Sequence, residues 1–196
     1  MLEERESETP TQETVIVEEK ESIGTTYLWQ KGQSRIRIMP AFIYSDCGSF
    51  PTINAWRRQD GIGSPRDHIP RQEVFQALAN WLIYMGVETI CGPVLSGAAL
   101  AYAIAVASNG NLRATYLPKP HGYYVPKRHG DEPIFRGKYA LVDDIVYTGE
   151  ALKTCLEFTA RQCQGQPAAI IADVWINCPE CLSDIKDRLF TVIVEK

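Results

Sequence analysis

The chain has 196 residues, 45% of them hydrophobic and 22% charged, with a formal net charge of −4. That is the balance of a globular protein of one ordinary domain, large enough to bury a sizeable core. An acidic balance argues against a nonspecific nucleic-acid binder, whose affinity comes mainly from basic residues meeting phosphates, and leaves room only for local basic patches. The longest mainly apolar run, Gly97 to Ala107, falls well short of the roughly 20 residues that a membrane-crossing helix takes. Neither nucleic acid nor membrane is therefore expected as a partner, and the cytoplasm is the expected location.

Met1 to Ile23 is rich in Glu and Thr and has no periodic apolar face. It reads as a mostly disordered acidic tail, because such a stretch cannot repay the entropy of ordering. It lacks the apolar core and basic flank of a signal peptide. From Thr25 to Phe50 the short runs Tyr27 to Trp29, Arg35 to Met39 and Phe42 to Tyr44, broken by Gly, Pro and Ser, predict strands. Trp56 to Pro70 reads as irregular. From Arg71 the positions Val74, Leu78, Trp81, Leu82 and Met85 form one apolar stripe ended by Gly86, the pattern of an amphipathic helix with Pro70 placed for its first turn.

Val87 to Cys91 then reads as a strand, Gly92 to Ser96 as a loop, and Gly97 to Ser108 as an alanine-rich helix closed by Asn109-Gly110. Strands follow at Arg113 to Leu117, Tyr139 to Asp143, Ala168 to Ile176 and Phe190 to Val194. A helix after Gly149 carries Leu152, Cys155, Leu156 and Thr159 on one face. Strands alternating with helices predict a mainly parallel sheet flanked by helices, an α/β fold. The six cysteines, Cys47, Cys91, Cys155, Cys163, Cys178 and Cys181, are scattered like reduced thiols rather than a disulfide framework. Cys178-Pro-Glu-Cys181 has the spacing of half a zinc site or of a redox pair. A closed zinc site takes four ligands and no second pair accompanies it, so a loop is the better reading.

Three stretches carry chemistry. Tyr139 to Leu152, YALVDDIVYTGEAL, puts Asp143 and Asp144 at the end of a buried strand and Thr148-Gly149 at the start of a helix. In open α/β sheets ligands bind beyond the carboxyl ends of strands, and a helix N-terminus offers unpaired N–H groups to an anion. Adjacent carboxylates accept hydrogen bonds from vicinal hydroxyls, so the layout suits a sugar phosphate. Cys91 to Ala101, CGPVLSGAALA, is a second strand-to-helix loop, with Gly92 and Gly97 where the backbone must come close to a ligand or to a neighbouring element. Tyr116 to Gly137 has no apolar period and carries Lys119, His121, Lys127, Arg128 and His129. A loop of that length in a compact domain is often a lid.

The string D-D-x-x-x-T-G after four apolar residues resembles the phosphoribosyl pyrophosphate (PRPP) signature of type I phosphoribosyltransferases, and the layout is most similar to that of orotate phosphoribosyltransferases. The resemblance implies that fold with a small N-terminal hood, approximately residues 24–69, over a core of residues 70–196. It implies that Asp143 and Asp144 hold the ribose hydroxyls and help bind Mg2+. The 5′-phosphate would lie along Ile145, Val146, Tyr147, Thr148, Gly149, Glu150 and Ala151. Leu95, Ser96 and Gly97 would face the diphosphate. Catalytic roles would fall on Lys119 or Lys127, with His129, and on Asp144. Two Lys-x-His-Gly units, Lys119 to Gly122 and Lys127 to Gly130, match the family's mobile loop, which reaches a neighbouring subunit, so a homodimer with shared sites is implied.

Tyr147 and Trp175 read either as base-binding rings, stacking on a flat base, or as core packing. The family usually has a Gly and then a Thr or Ser where this chain has Glu150 and Ala151, and orotate enzymes have an Arg where this chain has Val174. Arg35, Arg37 or Lys31 are the candidates to replace that Arg opposite orotate's carboxylate. The implied activity is transfer of ribose 5-phosphate from PRPP to a nucleobase, an orotate-like pyrimidine first and a purine second, with pyrophosphate released. The alternative from another class is a regulatory protein that senses PRPP or nucleotides without turnover.

Overall fold

The computed structural model describes residues 15–21, 24–41, 43–44, 71–93, 96–117, 135, 137–146, 149–162, 165–176 and 180–195. In chain order these are β1 (Val15–Glu21), β2 (Gly24–Lys31), β3 (Ser34–Pro40), β4 (Ile43–Tyr44), α1 (Arg71–Tyr84), β5 (Val87–Pro93), α2 (Ser96–Ala107), β6 (Arg113–Leu117), β7 (Lys138–Val146), α3 (Glu150–Gln162), β8 (Ala169–Ile176), a 3₁₀ segment (Glu180–Arg188) and β9 (Leu189–Glu195). All the described strands join one sheet in the order β1-β2-β3-β9-β8-β7-β5-β6, with β4 alongside β8.

The stretch β6-β5-β7-β8-β9 is parallel throughout. Its side chains divide cleanly between two faces because strand residues alternate. On β7, Ala140 and Val142 join α1 and α2 in one core, with Val74, Leu78, Trp81 and Leu82 from α1 and Leu100, Ala101 and Ile104 from α2. Tyr139 and Leu141 face the other way, onto Leu152 and Cys155 of α3 and Leu182 and Ile185 of the 3₁₀ segment. Thr159, the one polar member of the α3 stripe named from sequence, is fully buried. Its hydroxyl donates to the Leu156 carbonyl at 3.0 Å and accepts from the Tyr139 hydroxyl at 3.1 Å, so this polar pair is satisfied inside the core. The helices on both faces and the mainly parallel sheet are the α/β class expected from the alternation.

Among the N-terminal strands, β1 differs from expectation. Val15 to Glu21, placed within a disordered tail by composition, forms β1 and pairs with β2 from Val15 opposite Gln30 to Glu21 opposite Gly24. A strand partner supplies ladder hydrogen bonds that composition does not count, and Ile16 packs against the core while Val15 and Val17 stay exposed. The strands assigned to a hood, β2 and β3, extend the main sheet, with β3 antiparallel to β9. β4 takes the edge of β8 at Trp175 and Ile176, beyond the point where β9 pairs at Ile170 and Ile171. Residues 1–14 and the stretch 45–70 of the tail and hood assignments lie outside the described residues.

Candidate functional site

The chain runs from β5 through α2 to β6 on one side, then returns past β5 to β7 and builds outward the other way through β8 and β9. The winding therefore reverses between β5 and β7, and that crevice, at the carboxyl ends of the strands, is where ligands bind in doubly wound sheets. The end of β5, the start of α2 and the acid pair of β7 all converge there.

Asp143 is buried, at 7% exposure, and Asp144 is half-buried. The Ser96 hydroxyl, at the first residue of α2, donates to Asp144 Oδ1 at 3.0 Å and lies 3.4 Å from Asp143 Oδ1. Asp143 Oδ1 also accepts the Asp144 amide at 2.9 Å, and Asp144 Oδ1 accepts the Ile145 amide at 2.9 Å. The two loops singled out in the sequence thus meet through side chains. Burial pushes the Asp143 carboxyl up to about 7; the Asp144 charge adds to the rise, while the bonds from the Asp144 amide and Ser96 oppose it. Cys155 of α3 is pushed up to about 12, by burial first and by the Asp143 charge second, so it stays a protonated, unreactive thiol.

Gly92 and Gly97 have a tighter purpose than ligand approach alone. A Cβ on Gly92 would overlap the Gly97 carbonyl and the Val142 oxygen, and one on Gly97 would overlap the Val142 oxygen and the Pro93 ring. These glycines let the start of α2 lie backbone to backbone against β5 and against the residue that precedes Asp143. At the other end of the crevice Gly149 sits at φ 73°, in the left-handed region, and its carbonyl accepts the Lys153 amide at 2.8 Å. α3 begins one residue later with Glu150, which is exposed, and the half-buried Ala151. Only three residues separate Val146 from Glu150, so the first turn of α3 follows directly on the acid strand.

Several expected site residues fall elsewhere. Trp175 is a correction: it is fully buried and its indole N–H donates to the Phe190 carbonyl at 3.1 Å, so its ring packs in the core and has no face open to a base. β3 lies three strands from β7 in the sheet order, roughly 14 Å at ordinary strand spacing. Arg37 there donates to Glu19 of β1 at 3.1 Å. Leu95, Tyr147, Thr148, Lys119, Lys127, His129 and Cys178 lie outside the described residues. Ser96 was expected to contribute its amide, and its hydroxyl contact with both acids is new. No sequence signal marked it, because a Ser at a helix start reads equally as a cap for its own helix.

The oxygen donors present, two carboxylates and a hydroxyl, suit magnesium, which prefers oxygen, keeps several waters and shares phosphate oxygens. Among the described residues there is no group of three or more His, Cys, Asp or Glu that could hold a metal ion. No described helix is long and apolar enough to cross a membrane.

The architecture is that of a doubly wound α/β protein with its crevice at the switch point. No family model matches the chain, and no curated protein matches it. Among solved structures it is similar to adenine phosphoribosyltransferase from Saccharomyces cerevisiae, with 15% identity and a TM-score of 0.45 over 61% of this chain and 78% of that one. It is similar also to adenine phosphoribosyltransferase from Leishmania tarentolae, with 16% identity and a TM-score of 0.44 over 62% of this chain and 63% of that one. The match to orotate phosphoribosyltransferase from Aeropyrum pernix has 16% identity and a TM-score of 0.44 over 61% of this chain and 66% of that one. The chain thus covers less than two thirds of the latter two. All three are phosphoribosyltransferases, the family that the sequence motifs resemble, but overlaps of this extent assign no activity.

Proposed function

We propose that the protein is a phosphoribosyltransferase that moves ribose 5-phosphate from PRPP to a nucleobase and releases pyrophosphate. One observation carries this reading: the Ser96 hydroxyl of the glycine loop bonds to Asp144 and approaches Asp143, so the expected diphosphate and ribose elements share one crevice. In this reading Asp143 and Asp144 accept the vicinal ribose hydroxyls. The 5′-phosphate rests on Thr148 and the amides around Gly149 to Ala151, where a helix start favours an anion. As the bond at ribose C1 breaks, negative charge grows on the departing pyrophosphate, and fixed donors aimed at it lower the barrier. The amides of Leu95, Ser96 and Gly97 supply such donors, as do Lys119 or Lys127 together with His129. Magnesium, when bound through Asp143, Asp144 and phosphate oxygens, supplies further charge neutralisation. Closure of the basic loop between Tyr116 and Gly137, from a second subunit of a homodimer as the resemblance implies, would keep water from the sugar cation.

Tyr147 remains the proposed base-side ring, and the orotate-like loops put a pyrimidine first among bases to test. The test is pyrophosphate release from PRPP and Mg2+ on addition of orotate, uracil, adenine, guanine, hypoxanthine or xanthine in turn. Turnover with one base is expected, and the double variant Asp143→Asn, Asp144→Asn should weaken PRPP binding by at least about 100-fold, since hydrogen bonds to charged groups contribute about 1.5–3 kcal/mol each. Unchanged PRPP affinity in that variant would remove the reading. Glu150, exposed in the first turn of α3 where a phosphate would sit, favours a second reading as a PRPP or nucleotide sensor. Tight PRPP binding with no turnover on any base would select the sensor.

A further inference from the structure

The hydroxyl of Ser96, the first residue of α2, donates outward, to Asp144 Oδ1 at 3.0 Å, with Asp143 Oδ1 at 3.4 Å, across 48 and 47 residues of chain. The backbone beneath it is equally committed, since Gly97 packs against Gly92 and the Val142 carbonyl, the residue before the acids. The acids are themselves tied to the main chain, Asp143 Oδ1 to the Asp144 amide and Asp144 Oδ1 to the Ile145 amide. The start of α2 and the end of β7 are thus joined twice, once through backbone contact and once through the Ser96 hydroxyl.

We infer that Ser96 is a positioning residue that couples the two halves of the site, so that a sugar diol on the acid pair and a diphosphate on the start of α2 each strengthen binding of the other. The inference rests on the proposed PRPP reading and deepens it. A ligand that orients the carboxylates orients Ser96 and the amides that follow it, and the reverse holds because coupling between two sites is reciprocal. Backbone contact at Gly92 and Gly97 keeps the two elements adjacent without the hydroxyl, so loss of the hydroxyl should remove the coupling and spare the fold.

The experiment is calorimetric titration of the full chain with ribose 5-phosphate and with magnesium pyrophosphate, each alone and each with the other at saturation. In the unaltered protein each ligand is expected to tighten the other by about tenfold, within the usual span of such couplings. Ser96→Ala should bring that factor close to one while the thermal midpoint holds, and Ser96→Thr, which keeps a hydroxyl, should retain it. If Ser96→Ala weakens both ligands in parallel with the coupling intact, Ser96 has a merely structural role and the inference is overturned. Binding of PRPP by the unaltered protein without coupling between the two fragments overturns the inference alone. Failure to bind PRPP, ribose 5-phosphate and pyrophosphate altogether overturns the proposed function and the inference with it.

Discussion

The crevice between β5 and β7 and the wall where β2 and β9 meet α1 are built on opposite terms. In the wall, Tyr27, Trp81 and Phe190 form a mutual aromatic cluster, with ring centroids 4.9 Å apart for Trp81 and Phe190 and 5.5 Å for Tyr27 and Trp81. Large rings fill space there and remove apolar area from water, the dominant favourable contribution to folding. In the crevice, glycines leave room for backbone alone, and Asp143 is a carboxyl held where burial disfavours its charge. The difference teaches that the wall stabilises the molecule, whereas the buried Asp143 carboxyl costs stability once it is charged.

The largest effect expected on this contrast is in the wall. Trp81→Ala should lower unfolding free energy by about 3–5 kcal/mol in denaturant titration, with PRPP affinity of the folded protein unchanged. A matching loss of affinity would show that wall and crevice are one unit.

Asp143→Asn should act with the opposite sign. Below about pH 4 the carboxyl is protonated whether the chain is folded or not, so it costs nothing there. Between the ordinary 3.8 and about 7, the unfolded chain has released a proton that the folded one keeps, and stability falls as pH rises. Above about 7 the cost is level, and at about 1.4 kcal/mol per unit it amounts to as much as about 4 kcal/mol. The Asn variant should therefore melt higher than the unaltered protein at pH 8 and close to it at pH 4.5. A variant that melts lower at both pH values would break the contrast.

Gly92→Ala should sharpen it. Its Cβ has no room beside Gly97 and Val142, so an overpacking cost of about 1–3 kcal/mol is expected. PRPP binding should fall further than stability does, because the displaced backbone carries Ser96 and the acids. Denaturation and PRPP titration on the same sample would separate the two losses.

Much of the parallel core was legible because its strands read as short apolar runs and its helices as periodic stripes. α1 from Arg71 and β6 at Arg113–Leu117 begin where the pattern places them, and α2 begins at Ser96, one residue before the expected start. β1 was not legible, since Val15 to Glu21 has the charge of a tail and becomes a strand through its partner β2. In the site, Asp143 and Asp144 were legible as residue types at a strand end. Their meeting with Ser96 was not, because it depends on how closely two backbones approach. Trp175 stayed open between base and core for a related reason: an aromatic near a strand's end looks the same in sequence whether it stacks on a ligand or donates its N–H to Phe190.

The contact of Gly92 and Gly97 with the Val142 carbonyl has a consequence for transplanting this crevice into another scaffold. Grafting Asp143 and Asp144 alone would carry over the carboxylates without the spacing that seats a serine beside them. The transferable piece is the pair of strand ends and the first residues of α2 at glycine-to-backbone distance. A host sheet with alanine at either glycine position would need its helix moved outward before the acids could be shared, so a host is better selected by that gap than by its resemblance at the acid strand.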